Sequence, residues 1–492
     1  MGKTNYKRPI LSASIGHKAT SGAIWATIDK VAFMGIQFSI NLILARILLP
    51  KDFGIVGMIT IFIVISQTLT DAGFGSALIQ KKNPTQTDFS TIFFWNLGLS
   101  VIIYLILFIS APIISHFFKL DLLCDVLRVL ALGLIINGIT AVQRIRLQKK
   151  LAFQTIAIVN LTSYTIGGVT AIIMAENGYG VWSLVYMQLV YGLCNIMLLW
   201  VTTKWHPSAT FSVSSFRSMF GFGGYIMAAN ILQTVCNNIQ GVIIGKRFSA
   251  TQLGFYSQAY KLDQVTSVSI PQVILQVAYP IYSSLQDDLD RLNKIILMNI
   301  RVTAFVVFPI LATLILIAEP LILFLYGQKW IPAVPYFRIF CVGGFFVCLQ
   351  NLSFYAVAAV GKSRDLFYWS FYKWGFLLIS LLIGMEFGMY GILWAMVLGN
   401  INIYFTNAML AQRHIGLKII NQLRSTLPIF FTVAISIVIG FILNYISNMP
   451  FLSAPISIIT YLFLSYVFDL KAMVEVKDII KTVFSKSKFL KE

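Results

Sequence analysis

Charged side chains inside the long apolar stretches of this sequence are its first candidates for chemistry. A charged group inside a bilayer costs several kcal/mol unless it meets a partner or water, so each such residue predicts a functional site. The cationic residues outnumber the acidic ones, and a cationic interior favours an anionic ligand such as a phosphate or diphosphate. The cationic set is Lys30, Lys261, Arg301 and Lys373, and the acidic set is Asp29, Asp71 and Asp263.

Several of these residues also have a structural alternative. Arg301 and Lys373 lie near predicted helix ends, from which long cationic side chains snorkel to the membrane surface. Lys261 lies two positions from Asp263 and would form an ion pair with it. Asp29, Asp71 and Asp263 are candidates for carrying a coupling ion or for gating, and Asp71 would otherwise be a residue at a helix end.

Polar amides extend this pattern along two apolar stretches. Gln37 and Asn41 share one helical face with Lys30, and a second stripe is formed by Asn230, Gln233, Asn237 and Gln240. Two such stripes predict the lining of a hydrated cleft. The alternative is that the amides form hydrogen bonds between helices, although that role seldom needs a lysine.

Signals for catalysis are few. Asp288-Leu-Asp290 matches a short metal-binding pattern of glycosyltransferases, but it lies in a turn before an apolar stretch and no domain surrounds it. The histidines occur singly, and no group of residues has the spacing of metal ligands. No phosphate-binding loop motif is present. We therefore predict no catalytic residue, no metal, no cofactor and no enzyme activity.

Composition places these residues in a membrane. The chain has 492 residues, of which 58% are hydrophobic and 11% are charged, with a mean hydropathy of +0.81. Apolar stretches of about 20 residues predict an all-α polytopic protein with about fourteen transmembrane helices. When the segments between spans are assigned alternately to the two sides of the membrane, the side that includes both termini contains about three times as many Lys and Arg residues as the other. This excess predicts that both termini are cytoplasmic. The net charge of +19 therefore records membrane topology and does not indicate nucleic-acid binding.

An internal repeat divides the chain. The joint Arg46–Gly54 is echoed about 200 residues later by Lys246–Gly254, which predicts two related lobes that face each other. We expect six-helix lobes at 1–205 and 206–415, two additional transmembrane helices at 416–470 and a basic cytoplasmic tail at 471–492. The tail is predicted either to lie on anionic membrane lipids or to be solvated.

The sequence resembles the Wzx-type polysaccharide transporter family, in particular its branch related to the colanic acid exporter. The resemblance rests on Arg46–Gly54, on the segment Asp71–Gln80, on Gln143–Phe153 and on Gly178–Trp182. This family belongs to the multidrug/oligosaccharidyl-lipid/polysaccharide exporter superfamily. Membership implies two six-helix lobes related by pseudo-twofold symmetry, with two extra C-terminal helices.

The resemblance also implies a function. Members are expected to flip undecaprenyl-diphosphate-linked oligosaccharides across the cytoplasmic (inner) membrane by alternating access, beside glycosyltransferases and a polymerase. The surface product would be an O-antigen, a capsule or an exopolysaccharide. Coupling to a proton or sodium gradient is part of this hypothesis.

Three other functions remain open. A lipid II flippase would have the same architecture, and a multidrug antiporter would share the superfamily fold but is expected to have an acid-rich cavity. A membrane-embedded polysaccharide polymerase or ligase would need a large external loop, and every connection predicted here is short.

Overall fold

The computed structural model is mostly helical over the residues it describes, which are 30–71, 74–81, 83–447, 450–478 and 481. Side chains are described for these residues except 71, 74, 76, 80, 218–230, 447 and 450. No β-strand occurs in this part of the chain. The predicted all-α fold is therefore confirmed.

The described residues between 30 and 203 form eight helices. They are α1 (Lys30–Ile47), α2 (Pro50–Asp71), α3 (Phe74–Gln80), α4 (Gln86–Phe118), α5 (Leu122–Leu130), α6 (Leu132–Lys149), α7 (Phe153–Glu176) and α8 (Val181–Thr203). The short helix α5 is amphipathic, and its apolar face, which includes Val126 and Leu127, is buried. Thr85 begins α4 with a capping box, in which its side chain and that of Asp88 each accept a hydrogen bond from the other's backbone N–H.

The same order of helices then recurs. The second series is α9 (Val213–Arg247), α10 (Ala250–Gln264), α11 (Ile270–Ser284), α12 (Leu289–Leu316), α13 (Ala318–Tyr326), α14 (Val334–Ala359), α15 (Ser363–Gly384) and α16 (Gly388–Ile415). A π-helical turn, Val265–Ser269, joins α10 to α11. The short α13 again lies between two long helices. The chain continues as α17 (Ile419–Ser447), α18 (Pro450–Val467) and α19 (Lys471–Asp478).

The number of apolar helices can be compared with the predicted count. Ten segments of the described chain are long and apolar enough to cross a membrane, or up to eleven if α18 and α19, bent by 101°, form one span. Three features account for the difference from about fourteen. Helices α15 and α16 are counted together as Ser363–Ile415, the π-turn divides α10 from α11, and the side chains of residues 218–230 in α9 lie outside the described set.

The chain divides into two compact units, Met1–Gly254 and Phe255–Glu492. This division falls after α9, whereas the repeat predicts a boundary near residue 205. The lobe boundaries drawn from the repeat stay a prediction.

Two repeat-related glycines allow the two joints to pack together within the first unit. A Cβ atom on Gly54 would overlap the carbonyl oxygen of Ala250, and one on Gly254 would overlap the carbonyl oxygen of Pro50. The two residues that these glycines meet, Pro50 and Ala250, also occupy equivalent positions in the repeat. The short motifs shared by the two joints mark a close reciprocal contact of backbones, which only a residue without a side chain permits.

Candidate functional site

Helix α10 carries a buried carboxylate just before the π-turn. Asp263 is 4% exposed, and its Oδ2 accepts a hydrogen bond of 2.8 Å from the Ser267 hydroxyl. Its Oδ1 has no hydrogen-bond partner. The π-turn brings Ser267 onto the side of Asp263, and such turns are frequent at functional sites.

Lys261 lies on the same helix but does not join Asp263. Its side chain is exposed, and no ion pair links the two residues among the described side chains. Residues two apart on a helix point in nearly opposite directions, which explains why they do not meet. The ion pair that the sequence left open is not formed. Lys261 is therefore a cation without an ion-pair partner among the described side chains.

Lys373, on α15, is buried among neutral partners. The side chain is 6% exposed, and its Nζ donates a hydrogen bond of 3.1 Å to the Asn407 Oδ1 on α16. The Phe354 ring of α14 lies 5.3 Å from the ammonium group. Asn407 is itself oriented by a hydrogen bond of 2.9 Å from its Nδ2 to the Gln350 carbonyl oxygen. No described carboxylate forms an ion pair with Lys373.

Arg301 lies in a different environment. Its guanidinium group forms a bidentate ion pair with Glu475 of α19, and the Nε atom lies 3.0 Å from Oε2. The two side chains are 18% and 20% exposed. A carboxylate therefore already balances this cation, and the contact joins α12 to the short helix that follows α18.

The predicted polar stripe on α1 is mostly accessible. Lys30 and Gln37 are exposed and Asn41 is half-buried. Gln37 hydrogen-bonds the hydroxyl of Tyr164 on α7, whose ring packs edge-to-face on Tyr191. Asp29, which precedes Lys30, lies outside the described residues.

The predicted stripe on α9 divides between two environments. Gln233 and Asn237 are exposed, whereas Gln240 is buried and its side-chain amide donates to the Cys236 carbonyl oxygen at 3.3 Å. The side chains of Asn230 and Asp71 are outside the described set. Helix α9 packs against α2, where the hydroxyl oxygens of Thr68 and Thr234 are 3.3 Å apart.

The short acidic motif before α12 is a helix cap. Asp288 is the N-cap residue, and its side chain accepts a hydrogen bond of 3.1 Å from the Arg291 backbone N–H. Asp290 lies in the first turn, where a negative charge favours the positive end of the helix dipole. Both aspartates thus have a structural role. The described residues contain no group of three or more metal-ligating side chains suited to an ion.

Comparison with known proteins identifies the family. A model of the polysaccharide biosynthesis protein family matches residues 43–335. The chain belongs to the polysaccharide biosynthesis protein family. The family predicted from the short motifs is confirmed.

Two proteins similar to this chain are named for the biosynthesis of teichuronic acid and of lipopolysaccharide. The chain is 26% identical over 358 residues to the teichuronic acid biosynthesis protein TuaB of Bacillus subtilis (strain 168), covering 72% of this chain and 74% of that protein. It is 24% identical over 344 residues to the lipopolysaccharide biosynthesis protein WzxC of Escherichia coli (strain K12), covering 69% of each.

A solved structure shares the fold of this polysaccharide biosynthesis protein. The lipid II flippase MurJ, in an inward closed conformation, aligns with a TM-score of 0.71 over 90% of this chain and 98% of that one, at 13% identity. Identity this low shows a common fold only. It confirms the predicted architecture of a polytopic all-α membrane protein.

One family-like segment, Gln143–Phe153, has a structural explanation in this polysaccharide biosynthesis protein. Lys149, at the end of α6, donates hydrogen bonds to the carbonyl oxygens of Leu78, Ile79 and Lys81 at the end of α3. A cation at a helix C-terminus satisfies carbonyl groups that have no partner within the helix. The basic residue of this motif therefore holds α3 in place.

Sequence reasoning missed the partners of the charged residues. Asn407 and Glu475 were not predicted, although they determine the environments of Lys373 and Arg301. An amide within an apolar stretch was a usable sequence signal for Asn407. Glu475 carried no such signal, because it lies in a charged segment after the last long helix.

Proposed function

We propose that this protein is a flippase that translocates undecaprenyl-diphosphate-linked oligosaccharide repeat units by alternating access, for surface polysaccharide biosynthesis. The observation that carries the proposal is the lack of an ion pair at two lysines of the second unit. Lys261 is exposed and Lys373 is buried, and neither forms an ion pair with a described carboxylate. Cations without a counter-charge favour an anionic diphosphate.

The mechanism follows from the two parts of such a substrate. The diphosphate and sugars need water and polar contacts, whereas the prenyl chain is stable in lipid. Lys261 and Lys373 attract the diphosphate. Lys30 and the amides Gln37, Asn41, Gln233 and Asn237, which belong to the first unit, remain candidate substrate contacts predicted from the sequence. Alternation between inward and outward states then moves the head group across while the prenyl chain remains in the bilayer. Arg301 contributes less to attracting the diphosphate, because Glu475 already balances its positive charge.

Asp263 is our candidate for coupling transport to an ion gradient. It is buried, one oxygen has no partner, and the other is held by Ser267. A carboxylate in this setting binds a proton or a sodium ion more readily than one already paired with a lysine. Asp29 and Asp71 remain further candidates from the sequence.

The setting of the protein is part of the same proposal. This multi-pass membrane protein would lie in the cytoplasmic membrane with both termini in the cytoplasm, as the distribution of Lys and Arg predicts. It would act beside the glycosyltransferases that build the repeat unit and the polymerase that extends it. The C-terminal tail would contact anionic lipids. The protein itself would move its substrate without chemical change.

The fate of lipid-linked glycans in a deletion strain tests this proposal. Lipids are extracted from strains with and without the protein, glycans are identified by mass spectrometry, and each membrane face is probed for access. We expect a lipid-linked oligosaccharide to accumulate on the cytoplasmic face and the surface polysaccharide to disappear. Accumulated lipid II would indicate a lipid II flippase instead.

Two further outcomes would contradict the proposal. Normal lipid-linked glycans together with sensitivity to cationic compounds would indicate a multidrug antiporter. Repeat units that accumulate on the outer face without being joined would indicate a polymerase or ligase.

A further inference from the structure

Helix α11 buries only a narrow stripe of its surface. The buried side chains are Pro271, Leu275, Ala278 and Tyr282, at spacings that place them on one side of the helix. The rest of the circumference is accessible. The side chains on this accessible surface indicate what it contacts.

The exposed surface of α11 has two chemically distinct sides. One side carries the polar residues Gln272, Gln276, Tyr279 and Ser283, again at helical spacing. The other side carries Val273, Val277 and Ile281, of which Val277 is 67% exposed. At 100° per residue the buried, polar and apolar sides each occupy about a third of the helix.

The polar side extends too deep to be explained by the membrane surface. Gln276 lies about 12 Å along the helix from its end at Ser284, at 1.5 Å per residue. Half the hydrocarbon thickness is about 15 Å. Primary amides at that depth would lose their hydrogen bonds to water if they faced lipid, so the polar side must face a hydrated region. The neighbouring valines favour lipid.

Aromatic contacts connect the polar side of α11 with the buried cation. The Tyr279 ring packs edge-to-face on Tyr355 of α14, with ring centroids 5.5 Å apart, and the two side chains are 40% and 39% exposed. Tyr355 packs on Phe354, and Phe354 contacts the Lys373 ammonium group. A positive charge therefore lies behind the surface that Tyr279 and Tyr355 present.

We propose that α11 is the wall along which a lipid-linked saccharide is divided between water and lipid. Gln276 and Tyr279 contact the sugar–diphosphate head group, and Val273, Val277 and Ile281 contact the prenyl chain. This inference rests on the proposed flippase function and assigns substrate contacts to it. The single helix explains how one molecule keeps its charged and apolar parts in different environments.

Single cysteines along α11 test the two sides. The native residues Cys124, Cys194, Cys236, Cys341 and Cys348 are first replaced, and the protein is checked for surface polysaccharide in the deletion strain. A hydrophilic maleimide is then applied to membrane vesicles of both orientations. We expect Gln276→Cys to react at least about tenfold faster than its neighbour Val277→Cys, since thiolates react in water. Equal rates at the two positions would overturn the division of the helix.

The contact with substrate is tested in the same vesicles. Labelling is compared between membranes rich in lipid-linked oligosaccharide and membranes from a strain that cannot add the first sugar. Substrate is expected to slow labelling of Gln276→Cys at least about threefold. Val277→Cys is expected to react too slowly for this comparison. A photoreactive residue is therefore placed at position 277 instead, and it should crosslink to the prenyl lipid. Equal labelling rates of Gln276→Cys with and without substrate would overturn the assignment of substrate contacts.

The two proposals fail in different ways. If the deletion strain accumulates a lipid-linked oligosaccharide but the cysteines show no two-sided pattern, the role of α11 is wrong and the flippase function stands. If no lipid-linked oligosaccharide accumulates in that strain, the flippase function is wrong, and the substrate contacts fall with it.

Discussion

The Lys373 ammonium nitrogen lies 3.1 Å from the Asn407 amide oxygen, in a buried position on two adjacent helices. An amide orients the cation but leaves its charge unbalanced. A carboxylate in the same place would both orient and neutralise it. This difference gives the sharpest test of the cationic site.

The substitution Asn407→Asp should abolish most transport without loss of the folded protein. The new carboxylate would pair with Lys373 and remove the positive charge that attracts the diphosphate, and we expect transport to fall about tenfold or more, equivalent to at least about 1.4 kcal/mol. Protein abundance in membranes and surface polysaccharide in the deletion strain are measured together. Asn402→Asp, the same change on the same helix, is the matched control and should retain transport. Equal activity of both variants would exclude Lys373 from substrate binding.

Exchange of the Arg301–Glu475 pair should separate stability from transport. Arg301→Glu or Glu475→Arg alone would place like charges together and lower the free energy of unfolding by about 2 kcal/mol, given the partial exposure of both side chains. The double exchange should restore stability, measured by thermal unfolding in detergent. The double variant should also restore transport, because we assign Arg301 to this contact. A stable but inactive double variant would show that substrate needs the cation at position 301.

The repeat-related glycines should tolerate no side chain. Gly54→Ala and Gly254→Ala each insert a Cβ into a backbone carbonyl, so each should destabilise by about 1–3 kcal/mol or more. Membrane abundance and thermal unfolding provide the measurement. Gly35→Ala on α1 is the control, because its Cβ would meet no atom within 4 Å. Full stability of the Gly54 and Gly254 variants would mean that the two joints do not pack as described.

Asp263 should be needed for coupling to an ion gradient. In the variant Asp263→Asn, transport should fall, and the remaining transport should no longer respond when the proton or sodium gradient is collapsed by ionophores. Asp290→Asn, an exposed aspartate at the start of α12, should leave the response to ionophores intact. A gradient response that persists in Asp263→Asn would assign coupling to another residue.

The aspartates of the short acidic motif should matter for stability and not for activity. Asp288→Ala removes a helix cap and should cost about 1 kcal/mol of stability, while surface polysaccharide is retained. Loss of activity in a fully folded Asp288→Ala variant would favour an enzymatic role for the motif.

The sequence alone determined the fold class and the family, since both depend on local and repeated features. Apolar length predicted the helices, and the cation-to-glycine joints at Gly54 and Gly254 predicted a repeat. The π-turn between α10 and α11 was not visible in the hydropathy, so two helices stand where the apolar pattern predicts one.

Only the tertiary structure decided which charged residues have a partner. Lys261 and Asp263 are neighbours in sequence but point apart, whereas Arg301 and Glu475 lie far apart in sequence and form an ion pair. Hydropathy reports whether a residue lies in an apolar helix, but it contains no information on which side of that helix faces another. The state of each charge depends on helix rotation and packing, and those are fixed by contacts between distant parts of the chain.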